Sequence, residues 1–186
     1  SNECESAFGI DYSEKLLEQL IKNYPNVKCD WSDVTKYDLK DTIYDKMILY
    51  FSAQHFNERE LIELIKKMLN NIKSDGIVLI GDVPNETKKW EYINKPEYKN
   101  DYFTRILNEN PMIGNWYSKE WFLSLNNFLR YNTTTCITIF IITNSILSLL
   151  LTSANASRVF ITNSSAFISA SSLLSASTSS SQIFFS

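Results

Sequence analysis

The chain has 186 residues, 44% of them hydrophobic, and a formal net charge of −3, so it can form one domain with a sizeable core. This slight acidity gives no electrostatic basis for binding nucleic acid or an anionic membrane, and we expect neither partner. Three widely spaced cysteines and a single histidine form no disulfide scaffold and no metal-ligand pattern. We therefore expect no metal and a reducing, cytoplasmic location.

The composition changes sharply near Tyr131. Of the 39 charged residues (18 basic and 21 acidic), only Arg158 follows it, and all four glycines and all four prolines precede it. The last 55 residues contain 15 serines and 8 threonines among apolar residues. We therefore predict an α/β domain over residues 1–131 and a separate tail over residues 132–186.

The first part of the chain predicts strands that alternate with helices. The apolar run Ala7–Ile10 predicts a buried strand that ends at Asp11, and Ser13 is a suitable N-cap for the helix that follows. Residues 27–29 predict a weak second strand. Residues 46–52 predict a strand with both faces buried, which is typical of parallel sheets covered by helices.

The second helix has the clearest signals. Asn57 can cap it, and Glu60 lies three residues later, as in a capping box. We expect Lys67 and Lys73 to face water on this helix, and Gly76 to end it.

The next apolar run, residues 77–80, predicts a further buried strand. The order β-α-β-loop-β-α-β imposes parallel pairing, so we predict a three-layer doubly wound, mostly parallel sheet. Residues 85–110 predict a helical or irregular insertion rich in aromatic residues. Residues 118–128 predict a short helix with Ser118 as its cap.

Three strings carry a resemblance to a known family: GIDYSEKLLEQLIKNYPNVKCDWSDV, then YDKMILYFSAQHF, then ELIKKMLNNIKSDGIVLIGDVP. In order and spacing they resemble the class I S-adenosylmethionine-dependent methyltransferases, over residues 7–84 well and 85–129 loosely. The resemblance implies a Rossmann-like fold with S-adenosyl-L-methionine as cofactor. It also implies methyl transfer by direct displacement to a small-molecule or sugar-like acceptor.

The resemblance also implies residues that hold the cofactor. Asp11 ends its strand where the family's acid accepts hydrogen bonds from the ribose hydroxyls, and an ionised carboxylate only accepts hydrogen bonds. Asp33 and Val34 match the loop that meets adenine, through a carboxylate and a backbone N–H. Asp30 is a competing assignment, because the loop can be aligned three residues earlier.

Further residues match the methionine end of the cofactor and the acceptor. Tyr50 and Ser52 leave a strand beside the expected methionine moiety. Gln54 and His55 follow, where the family places residues that face the acceptor. His55 or Asp82 is the candidate general base for an oxygen or nitrogen acceptor. Each has a structural alternative, as a hydrogen-bonded histidine or as a turn acid.

The sequence departs from the family at its front. The Gly-rich turn, the first strand and the first helix of the family have no counterpart, since residues 1–6 contain no glycine and predict no strand. The predicted sheet is therefore incomplete, with two unpaired strand edges at its centre. We expect a weak or non-cooperative thermal transition from such a fold.

The tail predicts no family strands. A change of reading frame near residues 129–132 or a serine-rich low-complexity extension would explain its composition. The apolar stretch Cys136–Leu151 has about 16 residues, fewer than the roughly 20 of a membrane span, so we do not expect a membrane helix.

Two other functions fit the same pattern. Because the Gly-rich turn is absent, the chain could be a non-catalytic α/β remnant or an interaction module. An acid at a strand end also binds ribose in dinucleotide-binding folds, so a fragment of an NAD-dependent oxidoreductase is the third interpretation.

Overall fold

The computed structural model describes residues 4–40, 42–111, 113–132, 138–142 and 156–161. These residues form a mixed α/β fold with one sheet of six strands, all of them parallel. The strands are β1 (Cys4–Asp11), β2 (Lys28–Trp31), β3 (Tyr44–Tyr50), β4 (Ile72–Gly81), β5 (Thr138–Ile142) and β6 (Ala156–Ile161). The helices are α1 (Glu14–Asn23), α2 (Glu58–Asn70), α3 (Lys89–Tyr92), α4 (Pro96–Leu107) and α5 (Lys119–Asn132), with short 3₁₀ turns at Ala53–His55 and Glu86–Lys88.

The strand order is β2-β1-β6-β3-β4-β5, which puts a strand from the tail at the centre of the sheet. Val159 of β6 is the register partner of Ala7 on β1 and of Lys46 on β3. The expectation of two unpaired central edges is therefore wrong, because β6 lies between the two strands that would carry them. Sequence patterns alone could not reveal this pairing, since it joins residues about 150 positions apart.

Strand β1 begins three residues earlier than predicted, at Cys4 and not at Ala7. Cys4 is in register with Ala156 on β6. The pairing of β1 with β6 therefore extends over residues 4–6, which show no strand pattern in the sequence. The prediction of no strand before Ala7 is wrong for this reason: tertiary pairing overrides local propensity.

The predicted helix caps are confirmed. The Ser13 hydroxyl accepts the Leu16 N–H at 3.4 Å at the start of α1. The Asn57 side chain and the Glu60 carboxylate form both bonds of a capping box on α2, each at 2.9 Å. At α5, the Trp121 N–H donates to the Ser118 hydroxyl at 3.0 Å. These bonds satisfy N–H groups that have no partner inside a helix.

Gly76 does not end α2. The helix ends at Asn70, and the Asn71 side chain donates to the Lys40 and Thr42 carbonyls at 2.8 and 3.0 Å. Gly76 lies inside β4, where a Cβ atom would meet the backbone oxygen of Asp45 at 2.9 Å. The glycine is therefore required for close approach in a strand, and not for a helix cap.

Lys73 also lies outside the helix predicted for it. It belongs to β4 and forms an ion pair with Asp45 of the neighbouring β3. The prediction that it belongs to α2 is wrong because the strand begins at Ile72, which is in register with Tyr44. The prediction that it faces water is confirmed, since its side chain is exposed.

The core forms where α2 and α5 pack on β3 and β4. On β3 and β4, the side chains that belong to this core alternate along the strand with Ile48 and Leu79. Ile48 and Leu79 point to the other face of the sheet and are also buried. Both faces of these strands are thus buried, as predicted. The main cluster includes Met47, Leu49, Leu61, Ile65, Met68, Val78, Ile80, Phe122, Leu125 and Leu129.

The aromatic insertion over residues 85–110 is helical, which is one of the two predicted alternatives. It contains α3 and α4, and α4 has no buried residue. Most of the predicted apolar stretch Cys136–Leu151 lies outside the described residues, with β5 as its described part. None of the helices in the described ranges is long and apolar enough to cross a membrane.

Candidate functional site

A cavity of about 670 Å³ opens at the carboxyl ends of β1, β2 and β3. Ligands of open parallel sheets bind at this edge, beyond the ends of the strands. The residues that follow each of the three strands contribute to its wall. They include Asp11, Tyr12 and Ser13, then Ser32, Asp33, Val34 and Thr35, then Phe51, Ser52, His55 and Phe56.

The cavity brings together five of the seven site residues predicted from the sequence: Asp11, Asp33, Val34, Ser52 and His55. These five come from three separate strand exits, and only the folded sheet puts them on one wall. Tyr50 and Asp82 are not among the described residues that line the cavity. Their predicted roles stay predictions.

Asp11 has a local structural role in addition to its place on the wall. Its Oδ1 accepts the Ser13 N–H at 2.7 Å, which fixes the turn between β1 and α1. A carboxylate has about four acceptor positions, so this bond and a bond to a ligand hydroxyl are compatible. The turn-acid alternative and the binding role therefore do not exclude each other.

Asp33 is bonded mainly within its own loop. Its Oδ1 accepts from the Thr35 N–H at 3.0 Å and from the Thr35 hydroxyl at 2.7 Å. Its Oδ2 lies 3.1 Å from the Lys36 ammonium. The hydrogen bond from Thr35 is the largest cause that lowers the pKa of Asp33, and Lys36 adds to it. The carboxylate thus stays ionised and shapes the loop that lines the cavity.

Asp30, the competing assignment, has a different partner. Its Oδ2 accepts the Tyr37 hydroxyl at 2.6 Å, and Asp30 is not among the described residues of the cavity wall. Burial, with a further contribution from Asp30, raises the pKa of Tyr37 above its ordinary value. The geometry therefore favours Asp33 over Asp30 as the loop acid at the cavity.

The exits of β3 and β4 carry unusual backbone conformations. Phe51 has a φ of 50°, in the left-handed region that bulky residues rarely adopt, and Asp82 has a φ of 54° in the same region, which aspartate enters more readily. The two are adjacent, because the Phe51 N–H donates to the Gly81 carbonyl at 2.9 Å. Strained residues of this kind cluster at functional sites. Burial raises the pKa of the Asp82 carboxyl, which suits a group that exchanges a proton.

The loop over residues 113–117 braces the turn that carries Ser52 and His55. The Asn115 N–H donates to the Gln54 carbonyl at 2.8 Å, and its side chain donates to the Phe56 carbonyl at 2.7 Å. The Tyr117 hydroxyl donates to the same Phe56 carbonyl at 2.7 Å, and burial raises its pKa to about 12. Tyr117 therefore supports the wall from behind, in the core.

Gly114 is the residue of this loop that tolerates no side chain. It has a φ of 82°, and a Cβ atom there would lie 2.3 Å from the Gln54 carbonyl oxygen. We expect Gly114→Ala to lower the free energy of unfolding by about 2–3 kcal/mol, through strain and this clash. Thermal melting measures the loss. Asn108→Ala, at an exposed helix end, is the control, and equal melting temperatures for the two variants would contradict the expectation.

Lys67 holds the loop that lines the cavity, a role that the sequence did not predict. The prediction that it faces water is wrong: its ammonium donates to the carbonyls of Thr35 at 2.8 Å, Tyr37 at 2.9 Å and Val34 at 3.4 Å. These carbonyls belong to the cavity loop, 30 to 33 positions earlier. The one available signal was its place beside the apolar face of α2, where long basic side chains bury their stems.

The described residues contain no group of three or more histidine, cysteine, aspartate or glutamate side chains that could hold a metal ion. No protein-family model matches the chain. No curated protein is similar to it at a significant level.

Proposed function

We propose that the chain binds S-adenosyl-L-methionine in the 670 Å³ cavity and transfers its methyl group to a small-molecule or sugar-like acceptor. The observation that carries this proposal is the convergence of Asp11, Asp33, Val34, Ser52 and His55 on one cavity wall. The resemblance to class I methyltransferases assigns the first four of these residues to the cofactor and His55 to the methyl acceptor, so all five are expected at one site.

The residues present fit the cofactor in kind. The volume lies within the range of about 300–1,000 Å³ that is usual for small-molecule sites. Asp11 would accept hydrogen bonds from the ribose diol, and the loop at Val34 would meet the adenine. Parallel strands with β6 at the centre support the finer part of the proposal, a doubly wound, three-layer Rossmann-like sheet.

The bound cofactor would supply a methyl group already activated by its sulfonium. The protein then has to orient the acceptor and keep water out. The aromatic rings of Phe51 and Phe56 border the cavity and would exclude water from the reacting atoms. Ser52, which is buried, would help to orient the methionine end.

His55 is the favoured general base in this proposal. It lies on the cavity wall and is exposed, whereas Asp82 is not among the described lining residues. A neutral imidazole can take the proton of an acceptor hydroxyl or amine near neutral pH. Asp82 keeps the second place, because burial raises the pKa of its carboxyl.

Isothermal titration of the full chain with S-adenosylmethionine, S-adenosylhomocysteine and NAD tests the proposal. We expect micromolar binding of both methionine-derived ligands and none of NAD. Binding of NAD alone would favour the oxidoreductase interpretation. Binding of none of the three, by a protein that melts cooperatively, would favour a non-catalytic module.

A further inference from the structure

Lys67 on α2 connects this helix to the loop over residues 33–37. An ammonium group has three N–H donors and no acceptor, and three loop carbonyls lie within hydrogen-bond distance of it. A side chain with one donor could not hold all three. The match between donors and carbonyls is the first evidence that this contact fixes the loop.

The surroundings of Lys67 keep the ammonium in place. The side chain is half-buried, and burial lowers its pKa. Asp38 and Asp33 oppose that effect by their negative charge. Burial removes part of the hydration of this cation, and the hydrogen bonds to the loop carbonyls compensate for that loss.

The loop held by Lys67 is the part of the cavity wall assigned to adenine. Its other hydrogen bonds are internal or lie toward β2: Thr35 bonds to Asp33, and Tyr37 bonds to Asp30. The side chains of Val34 and Tyr37 also pack against the core. Among the described residues, the hydrogen bonds of Lys67 are the ones that tie the loop's backbone to α2. Without them, the carbonyls of Thr35 and Tyr37 would lose their partner and the loop would rearrange.

We propose that Lys67 is a positioning residue that holds residues 33–37 in the conformation that binds the adenine end of the ligand. Lys67 is not expected to touch the ligand, since it is not among the described residues that line the cavity. The inference rests on the proposed function for the identity of the ligand. Its effect on the loop itself does not depend on that identity.

The test compares Lys67→Met with Lys66→Met. Both changes replace a lysine of α2 by an unbranched apolar residue, but Lys66 pairs with Glu63 on the helix surface and does not contact the loop. We expect Lys67→Met to weaken binding of S-adenosylhomocysteine about tenfold or more in titration calorimetry, because preorganisation is lost. Lys66→Met should bind within twofold of the unchanged chain, and Lys67→Arg should recover part of the loss.

Amide hydrogen exchange without ligand is the second readout. We expect faster exchange at residues 34–37 in Lys67→Met, with unchanged exchange in α2. Equal affinity and equal exchange in Lys67→Met and the unchanged chain would overturn the inference. If the unchanged chain binds no S-adenosylhomocysteine, the proposed function fails. Faster loop exchange in Lys67→Met would then still support the positioning role.

Discussion

The variant Val159→Pro is expected to abolish cooperative unfolding. Val159 is in the middle of β6, between Ala7 of β1 and Lys46 of β3. Proline has no N–H, and it is found in sheets only at edges and bulges. A strand with a neighbour on each side has no solvent-facing N–H, so one ladder bond is lost whichever neighbour it joins.

The loss is large because β6 joins the two halves of the sheet. A missing hydrogen bond and an unpaired partner carbonyl cost about 2–4 kcal/mol, a large share of the 5–15 kcal/mol that stabilises a typical domain. Thermal melting followed by far-UV circular dichroism measures this. A broad, non-cooperative transition is expected for Val159→Pro.

Val159→Ala is the matched control, since it shortens the same side chain and keeps the N–H. It should retain a single cooperative transition at a somewhat lower temperature. If Val159→Pro melts like Val159→Ala, then β6 is not a central strand. The sheet would then have the unpaired edges that the sequence predicted.

The second large effect is expected at Asp11. Asp11→Asn keeps an oxygen that can accept the Ser13 N–H, so the turn into α1 should survive. It removes the negatively charged carboxylate that would accept hydrogen bonds from the two ribose hydroxyls. Hydrogen bonds to a charged group are worth about 1.5–3 kcal/mol, so affinity for S-adenosylhomocysteine should fall about 10- to 100-fold.

Titration calorimetry of Asp11→Asn with S-adenosylhomocysteine measures the loss of affinity. An unchanged melting temperature shows that the fold is preserved. Asp75→Asn, at an exposed position on β4, controls for the loss of one negative charge. Asp30→Asn tests the competing assignment directly. An Asp11→Asn variant with full affinity would remove Asp11 from the site, and a loss confined to Asp30→Asn would move the adenine contact to Asp30.

Features set by neighbouring residues could be predicted from the sequence. The capping box of Asn57 and Glu60 and the cap of Ser118 each involve residues three positions apart, so their chemistry is visible in the sequence. The buried strand β3 was equally clear, because its apolar residues are continuous. The order of strands and helices then put Asp11 and Ser52 at the same edge of the sheet.

Features set by distant contacts could not be predicted in this way. Gly76 resembles a helix cap in its local sequence. The structure explains the glycine by the close approach of the Asp45 backbone on the neighbouring strand. Lys67 resembles a solvated lysine, and its partners lie about 30 residues earlier. The pairing of β6 with β1 joins opposite ends of the chain. In each case a tertiary contact overrides the local pattern.

The most direct measurement of the central claim is an NMR titration of the ¹⁵N-labelled chain with S-adenosylhomocysteine. If the ligand binds in the cavity, amide shifts should concentrate at residues 11–13, 32–35 and 51–56, the three strand exits that line it. Shifts at α4, which is exposed and distant in sequence from these exits, should be small. No shifts at saturating ligand, or shifts confined to residues away from the three exits, would contradict the account.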